Sequence, residues 1–250
     1  MHVNDTPLRK VALITGAAHR IGAAIARCLH GHGMNVIVHY RGSRAAAEQL
    51  QSALQAQRPN SAYLVQGDLL DGSQLTGLIK KSYQWQERLD VLINNASSFY
   101  PTPVADVDET QWDDLLGTNL KAPFFLAQAA SVHLRRHHGS IVNIVDIHAE
   151  RPLKGYAVYS IAKAGLVMLT KTLAREFAPE IRVNAVAPGA ILWPEQGVGD
   201  ETRKHIIAQT ALKRRGDPHD VARAVAFLIR DAEFMTGQIL TVDGGRSLSN

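Results

Sequence analysis

Two side chains that could perform acid–base chemistry together, Tyr159 and Lys163, lie four positions apart in the chain. On a helix, positions i and i+4 share one face, so the phenol and the ammonium would point into the same space. A cation beside a phenol favours the phenolate and lowers the tyrosine pKa, which predicts a proton donor for neutral pH. Tyr and Lys four positions apart are also common on ordinary helix surfaces, so the surrounding motifs decide whether this pair is catalytic.

A glycine-rich turn upstream of this pair has the composition of a phosphate-binding turn. Gly16 permits a tight turn, and Gly22 lets the following helix pack closely on a strand. The helix N-terminus between them is suited to a pyrophosphate, so we predict nucleotide contacts from Gly16, His19, Arg20 and Ile21. Arg20 stands where the usual fingerprint has its middle glycine. We expect it to contact a phosphate or the substrate; the alternative is a surface arginine in solvent.

The end of the second predicted strand indicates which nucleotide is bound. It reads His39-Tyr40-Arg41-Gly42-Ser43, and no acidic residue occurs between positions 36 and 47. Folds that bind NAD place an acid near here for the ribose 2′-hydroxyl, whereas an arginine accommodates a 2′-phosphate. We therefore predict NADPH/NADP+ as the cofactor, bound by Arg41 and Ser43 beside His39 and Tyr40, with Arg44 as a further candidate. A solvated basic turn is the alternative.

Two further polar turns follow the third and fourth predicted strands. Asp68, before Leu69, could accept a hydrogen bond from the adenine amino group or could cap the next helix. Asn95, Ala96 and Ser97 are small and polar, which suits backbone that lies close to a ribose. We place all five residues in the predicted cofactor site.

The chain alternates between short β-branched runs and amphipathic stretches, which predicts a parallel sheet covered on both faces. Ligands of such sheets bind at the carboxyl ends of the strands, where each motif above falls. We predict one Rossmann-type, doubly wound α/β domain over residues 1–250, with an N-terminal tail at 1–9 and a substrate-covering loop and helices at 190–213. The predicted strands are Val11–Thr15, Asn35–Tyr40, Ala62–Gln66, Val91–Asn94, Ser140–Val145, Arg182–Ala187 and Ile239–Val242. The predicted helices are Ile21–His32, Arg44–Gln57, Ser73–Trp85, Trp112–Arg136, Tyr156–Phe177, Glu201–Lys213 and Pro218–Arg230.

Composition argues against several classes of function. The 250 residues are 46% hydrophobic, and a net charge of +4 is spread along the chain, which argues against nucleic-acid binding. The single cysteine, Cys28, excludes an internal disulfide, and the histidines lack metal-site spacing, so no metal is expected. The first ten residues are polar and no apolar run reaches membrane-spanning length, so we expect a cytoplasmic protein without membrane contact.

Several motifs occur along the chain in a fixed order. They are Thr-Gly-x₅-Gly at 15–22, Asn94-Asn95-Ala96, Asn119, Tyr159-x-x-x-Lys163 and Pro188-Gly189. This order resembles that of the short-chain dehydrogenases/reductases, and the resemblance extends to the Val242-Asp243-Gly244-Gly245 ending.

Three departures from the general pattern make the chain look most like the pteridine reductases. Arg20 lies in the first turn, Asn95–Pro103 is similar to that subfamily's substrate loop, and Asp146 occupies the site of the catalytic serine of most members. The first and third departures are also seen in bacterial dihydromonapterin reductases of the same branch.

The resemblance assigns roles to the catalytic residues. It implies that Lys163 binds the nicotinamide ribose and lowers the pKa of Tyr159, which donates a proton as hydride arrives. Asn119 would hold a water that connects the lysine to solvent, and Pro188 and Gly189 would contact the cofactor. A homotetramer is also implied.

Asp146 is the substitution that bears most directly on the substrate. A serine hydroxyl is enough to bind a carbonyl oxygen that becomes an alkoxide. Reduction of a C=N bond leaves a nitrogen that must be protonated, and a carboxyl beside Tyr159 could relay that proton. The alternative is that Asp146 only caps a loop.

Four other residues are candidates for substrate binding, in addition to Arg20, Asp146 and Tyr159. Phe99 could stack on a flat heterocycle or could be an ordinary core residue. Ser97 could bind the pterin or the cofactor phosphates. Tyr156 has no lysine four residues on and is expected to line the substrate pocket, and Trp193 could pack on the substrate tail or be a structural anchor.

The leading hypothesis is an NADPH-dependent reductase of dihydropterins, with oxidised pterins and dihydrofolate as further candidate substrates. The second hypothesis is a carbonyl reductase of the same family, acting on a 3-oxoacyl thioester or a sugar. A non-catalytic NADP(H)-binding regulator is a third, but such modules typically lose the tyrosine or the lysine, and this chain keeps both.

Overall fold

The computed structural model describes residues 9–193 and 199–249. The strands are β1 Val11–Ile14, β2 Asn35–Tyr40, β3 Ala62–Gln66, β4 Val91–Asn94, β5 Ser140–Ile144, β6 Arg182–Pro188 and β7 Ile239–Val242. The α-helices are α1 Arg20–Gly31, α2 Arg44–Gln57, α3 Gly72–Gln84, α4 Glu109–Leu116, α5 Ala122–Leu134, α6 Ala157–Glu176, α7 Asp200–Ala208 and α8 Pro218–Arg230. The predicted tail lies outside the described residues except for its last residue, and so do residues 194–198 of the predicted substrate-covering loop.

The described strands pair in parallel into one sheet, in the order β3-β2-β1-β4-β5-β6-β7. Strand β1 pairs with both β2 and β4, and Ile14 lies opposite Val38 on one side and Ile93 on the other. The strand order reverses at this point, and ligands of doubly wound sheets bind in the crevice at the carboxyl ends beside it. The predicted Rossmann-type fold with a seven-stranded parallel sheet is confirmed.

The sheet is buried on both faces, which explains the continuous apolar runs of its strands. In β1, Ala12 and Ile14 belong to one hydrophobic cluster, while Val11 and Leu13 belong to the other. Alternate strand residues point to opposite faces, so each strand contributes to both clusters. Helices α1, α2 and α8 cover the first face, and helices α3, α5 and α6 cover the second.

The predicted helix from Trp112 to Arg136 is not one continuous α-helix. It begins earlier, because Asp108 and Gln111 form a capping box at the start of α4. Between α4 and α5 the chain forms a π-helical turn, Gly117–Lys121, and this turn carries Asn119. A π turn contains one residue more than an α-helical turn, and this difference leaves little trace in the hydrophobic pattern of the sequence. Such turns are frequent at functional sites.

Helix α7 is shorter than the predicted Glu201–Lys213 because contacts with a later segment end it. Leu212 donates its backbone N–H to the carbonyl of Gly244 over 3.0 Å, and Lys213 adopts a left-handed φ of 53°. Neither feature is compatible with continuing the helix, so the tertiary contact overrides local propensity.

Helix α6 corrects the expectation that no segment reaches membrane-spanning length. Its 20 residues are long and apolar enough by length and composition, and 50% of the apolar window is buried in the fold. The helix covers the sheet through Leu166 and Leu173, and it carries the buried Lys163. Its hydrophobicity is accounted for by this packing.

Candidate active site

A cavity of about 480 Å³ lies at the carboxyl ends of the first four strands. Its walls come from the turn after β1, the end of β2, and the turns after β3 and β4. The cavity is lined by every predicted cofactor-binding residue from the first half of the chain: Gly16, His19, Arg20, Ile21, His39, Tyr40, Arg41, Ser43, Asp68, Leu69, Asn95, Ala96 and Ser97.

The turn after β1 is held by backbone contacts and by one buried histidine. Gly16 has a φ of +60°, and a Cβ there would lie 2.9 Å from the Cα of Ala96, so a larger residue would be both strained and crowded. The Gly16 N–H donates to Nδ1 of His39 over 3.1 Å, which leaves His39 Nε2 to donate to the carbonyl of Gly67. Burial lowers the pKa of His39 to about 4, so the ring that supports this turn is neutral.

The N-terminus of α1 suits an anionic ligand. The N-cap residue is His19, whose side chain makes no capping hydrogen bond, and the first turn of the helix contains no acidic residue. The free backbone N–H groups of a helix start and the positive end of the helix dipole both favour a phosphate. The cavity walls and this helix start therefore fit a dinucleotide.

Arg20 adopts the backbone conformation of the glycine that it replaces. Its φ is +54°, a left-handed value that costs roughly 1–3 kcal/mol for a residue with a Cβ. Its Nη2 donates to the carbonyl of Trp193 over 3.2 Å, so the guanidinium contacts the start of the predicted substrate-covering loop. Arg20 is nevertheless an exposed residue, and its predicted contact with a phosphate or the substrate stays a prediction.

Thr15 is a site residue that the sequence analysis did not single out. Its hydroxyl accepts the backbone N–H groups of Asn95 and Ala96 over 2.9 and 3.0 Å. In return, the Asn95 amide donates to the carbonyls of Thr15 and Gly16. The turns after β1 and β4 are thereby locked together, and the Thr-Gly dipeptide of the motif was the available signal.

The two arginines of the basic turn after β2 have different surroundings, since Arg41 faces the cavity and Arg44 forms an ion pair outside it. Arg41 and Ser43 line the cavity. Arg44 instead pairs with Glu48 on α2, with Nε and Oε1 2.8 Å apart. Asp68 also lines the cavity and does not cap α3, because the carboxylate of Asp71 accepts the N–H of Ser73; the capping alternative for Asp68 is wrong.

Beyond the cavity, Tyr159 and Asp146 form a direct hydrogen bond. The tyrosine hydroxyl donates to Oδ2 of Asp146 over 2.8 Å, while Oδ1 accepts the backbone N–H of His148 over 2.9 Å. Asp146 therefore does cap a short 3₁₀ turn, but its second oxygen is committed to the tyrosine. Lys163 is buried and donates to the carbonyl of Ile144 over 3.0 Å.

The predicted lowering of the Tyr159 pKa is wrong for the described state. Burial raises the pKa of Tyr159 well above its ordinary value, and the carboxylate of Asp146 adds to the effect; a hydrogen bond with Ser97 opposes it. Burial also lowers the pKa of Lys163 to about 8. The ammonium lies 5.6 Å from the centre of the Tyr159 ring, whereas the carboxylate is hydrogen-bonded to the hydroxyl itself.

Asn119 is fully buried and holds the loop after β4. Its amide nitrogen donates to the carbonyls of Ser98 and Leu115, and its oxygen accepts the hydroxyl of Ser97 over 2.7 Å. The predicted water contact of Asn119 stays a prediction. The structure adds a role that the sequence did not reveal, which is to hold the hydroxyl of Ser97 and the carbonyl of Ser98.

Phe99 lies over the catalytic pair and is not a core residue. Its side chain is 39% exposed, so the core alternative is wrong. Its ring stacks on that of Tyr156 with centroids 4.6 Å apart and meets Tyr159 edge-on at 4.8 Å. The predicted neighbours of the substrate therefore form one aromatic surface at the tyrosine hydroxyl.

A second carboxylate, Asp114, braces this aromatic loop and was missed by the sequence analysis. It accepts the hydroxyl of Tyr100 over 2.9 Å and that of Ser98 over 3.3 Å. Burial, together with Asp114, raises the pKa of Tyr100 to about 12, so this hydroxyl stays a donor. No local pattern links Asp114 to the loop, since the two meet only in the fold.

The remaining predicted residues lie at the edges of the site. Pro188 and Gly189 end β6, where the N–H of Gly189 donates to the carbonyl of Val242. The ring of Trp193 lies 5.9 Å from the guanidinium of Arg203. The described residues contain no cluster of three His, Cys, Asp or Glu side chains that could hold a metal.

Known proteins similar to this chain include a pteridine reductase and 3-oxoacyl-(acyl-carrier-protein) reductases. A family model described as "Enoyl-(Acyl carrier protein) reductase" matches residues 16–247. Pteridine reductase 1 of Leishmania tarentolae is 37% identical over 290 aligned positions, which cover 99% of this chain and 99% of that protein. A 3-oxoacyl-(acyl-carrier-protein) reductase of Staphylococcus epidermidis is 38% identical over 242 positions, covering 95% of this chain and 99% of its own.

These matches agree with the geometry of the site. The match to residues 16–247 spans the glycine turn, the Tyr159–Lys163 helix and the ending after β7, and the family implies a nicotinamide cofactor. The chain belongs to the short-chain dehydrogenase/reductase family of oxidoreductases.

Proposed function

We propose that this protein is an NADPH-dependent pteridine reductase that reduces a C=N bond of dihydropterins to give the tetrahydro forms. Oxidised pterins and dihydrofolate are further candidate substrates. The observation that carries the proposal is the 2.8 Å hydrogen bond between Tyr159 and Asp146. The similarity to pteridine reductase 1 over the whole chain supports it.

The proton chemistry follows from this pair. Reduction of a C=N bond places hydride on carbon and requires a proton on nitrogen. The raised pKa keeps Tyr159 protonated but makes the phenol a weaker acid, so the proposal relies on Asp146, which is hydrogen-bonded to the hydroxyl and lies in position to exchange a proton with it. A ketone reductase needs only a hydroxyl beside its tyrosine, so the carboxyl favours the C=N substrate.

The cofactor side supports NADPH over NADH. When bound, NADPH supplies the hydride. Arg41 and Ser43 line the cavity at the end of β2, where the chain offers a cation and a hydroxyl but no acid. A 2′-phosphate would gain a charge-assisted contact there, while a plain 2′-hydroxyl would find no carboxylate on the turn after β2. The start of α1 would hold the pyrophosphate.

The aromatic surface supports a flat substrate. Phe99 is held over Tyr159 by its stacking on Tyr156 and by the braces at Ser98 and Tyr100. A pterin ring would stack on the exposed part of Phe99, and offset stacking of this kind contributes about 0.5–1.5 kcal/mol beyond area burial. Arg20 and Ser97 would contact the polar edge of the substrate, and Trp193 its tail.

Carbonyl reduction is the second candidate. The 3-oxoacyl-(acyl-carrier-protein) reductases are as similar to this chain as pteridine reductase 1 is, which supports an acyl thioester or another ketone as substrate. Asp146 and Phe99 weigh against it, because ketone reduction requires neither.

A substrate panel tests the proposal. NADPH oxidation is measured with dihydrobiopterin, dihydromonapterin, folate, dihydrofolate and a 3-oxoacyl thioester. We expect turnover of at least one dihydropterin. Turnover of the 3-oxoacyl thioester alone would overturn the proposal in favour of carbonyl reduction.

We also propose that the protein is a homotetramer. Helices α5 and α6 expose large apolar side chains, among them Phe124, Phe125, Val132, Ile161 and Met168, and an interface between copies would cover them. Light scattering coupled to size exclusion tests this; a monomer at micromolar concentration would contradict it. The cytoplasmic location stays a prediction.

A further inference from the structure

We infer that the segment following β7, Asp243–Ser249, is a strap that holds two substrate-side elements in position, and that Arg151 and Arg246 act as positioning residues through it. The strap contacts helix α7 at one point and the loop that carries Asp146 at another. The effect of the strap on kcat rests on the proposed function, because it acts through Asp146; the connection between the strap and the Asp146 loop does not.

The strap begins at a turn that Asp243 organises. Its carboxylate accepts the N–H groups of Gly245 and Ser247 over 2.8 and 2.7 Å. Gly189 packs against this turn so closely that a Cβ there would lie 2.6 Å from the Cβ of Asp243. The strap is therefore anchored against the predicted cofactor-binding turn at the end of β6.

Helix α7 is bound from the middle of the strap. Nη1 of Arg246 donates to the carbonyl of Ile206, in the last turn of α7, over 3.0 Å. A cation at this end of a helix complements the helix dipole and the last carbonyls. Leu212, just beyond the helix, donates its N–H to Gly244. The strap thus fixes the end of the helix that follows the predicted substrate-covering loop.

The far end of the strap reaches the loop after β5. The carbonyl of Ser249 accepts a hydrogen bond from the guanidinium of Arg151. The carbonyl of Arg151 contacts Nδ1 of His148 at 3.0 Å, and the N–H of His148 donates to Oδ1 of Asp146. A continuous series of hydrogen bonds therefore runs from the strap to the carboxylate that binds Tyr159.

This connection has a physical consequence for catalysis. One oxygen of Asp146 is bound by its own loop and the other by Tyr159, so the loop sets the orientation of the carboxylate. A misplacement of about 1 Å in a catalytic group can cost roughly a hundredfold in rate. Since α7 and the loop are bound to the same strap, loosening one contact should disturb the element at the other.

Hydrogen exchange tests this connection without any substrate. We expect Arg246→Ala to speed amide exchange at His148 and Arg151, which Arg246 does not touch, by tenfold or more. Arg223→Ala, which removes an arginine paired with Asp220 on α8, should leave these amides unchanged. If faster exchange is confined to α7 and the strap itself, the inference is wrong. Arg246→Gln replaces the alanine variant should that variant not fold.

A kinetic double-mutant cycle on a dihydropterin provides the second test, because the strap acts through Asp146, which the proposed function assigns to that substrate. We expect Arg151→Ala and Arg246→Ala each to lower kcat about tenfold, with NADPH affinity by fluorescence titration unchanged. Because both act through one strap, the double variant should also lose about tenfold, and Arg151→Lys should retain most of kcat.

Additive losses, near a hundredfold in the double variant, would show two local effects and overturn the inference. A rise in KM alone would mean that the arginines attract the substrate directly, and would also overturn it. If no pterin is turned over, the proposed function fails, and the hydrogen-exchange result alone decides whether the strap holds the Asp146 loop.

Discussion

The two halves of the site are built in different ways. The nucleotide half is made largely of backbone: a left-handed glycine, a helix start and a neutral histidine that binds two main-chain groups. The catalytic half is a network of side chains, in which Tyr159 binds Asp146 and Asn119 binds Ser97. Backbone sites tolerate many sequences with the right turn, whereas a side-chain network depends on each member.

This difference predicts separable effects. Substitutions of Tyr159 or Asp146 should change turnover and leave NADPH affinity near that of the wild type, because neither residue lines the nucleotide cavity. Substitutions in the nucleotide half should change cofactor affinity or the stability of the turn, with less effect on the proton chemistry. The predictions below test that separation in order of expected size.

Tyr159→Phe should give the largest effect. It removes the proton donor and keeps the ring that packs against Phe99, so we expect turnover to fall roughly 10²–10⁴-fold with NADPH affinity unchanged. Steady-state rates and fluorescence titration measure the two quantities. Tyr63→Phe is the matched control, since Tyr63 lies on β3 against Trp85. Normal turnover in Tyr159→Phe would leave Asp146 as the only acid and would contradict the assignment of Tyr159 as the proton donor of the catalytic half.

His39 should make the nucleotide half sensitive to acid. Its pKa is about 4 in the folded chain and about 6.5 when unfolded, so the unfolded state binds the extra proton first as pH falls. Stability is therefore lost between pH 6.5 and 4, by about 3 kcal/mol in all. Urea unfolding of the wild type and His39→Gln across this range measures the difference. If the free energies of unfolding of the wild type and His39→Gln change with pH in parallel, the role of the neutral His39 ring is contradicted.

Arg41→Ala should weaken NADPH binding and spare NADH binding. A charge-assisted contact to the 2′-phosphate contributes about 1.5–3 kcal/mol, or roughly tenfold to a hundredfold in affinity. Arg44→Ala is the control, because that neighbouring side chain pairs with Glu48. If the wild type uses NADH as well as NADPH, the cofactor assignment is wrong.

The nucleotide half was largely predictable from the sequence because its signals are local. Glycine spacing, apolar runs and the absence of an acid after β2 are properties of short segments, and each turn follows a strand whose position is fixed by the sheet. The conformation of Arg20 was less predictable, because its left-handed φ departs from what a residue with a side chain favours and its contact with Trp193 forms only in the fold.

The catalytic half was predictable in its residues but not in their partners. The motif order pointed to Asp146, Tyr159 and Lys163. The direction of the Tyr159 pKa was predicted wrongly, since it depends on burial and on a carboxylate 13 positions away, which spacing along a helix does not convey. Asp114 meets its loop only in the fold and escaped a pattern-based analysis for the same reason. Thr15 was missed although its Thr-Gly motif was visible, and the π turn under Asn119 leaves little trace in a hydrophobic pattern.

The central claim is that the carboxyl of Asp146 serves a C=N substrate. Asp146→Ser restores the side chain of most of the family, and Asp146→Asn keeps the size but cannot relay a proton. Initial rates on a dihydropterin and on a simple ketone are measured for the wild type and both variants across the pH range. We predict that both variants lose about a hundredfold or more on dihydropterin, with the ketone rate and NADPH affinity little changed. Wild-type rates on dihydropterin in both variants would contradict the account.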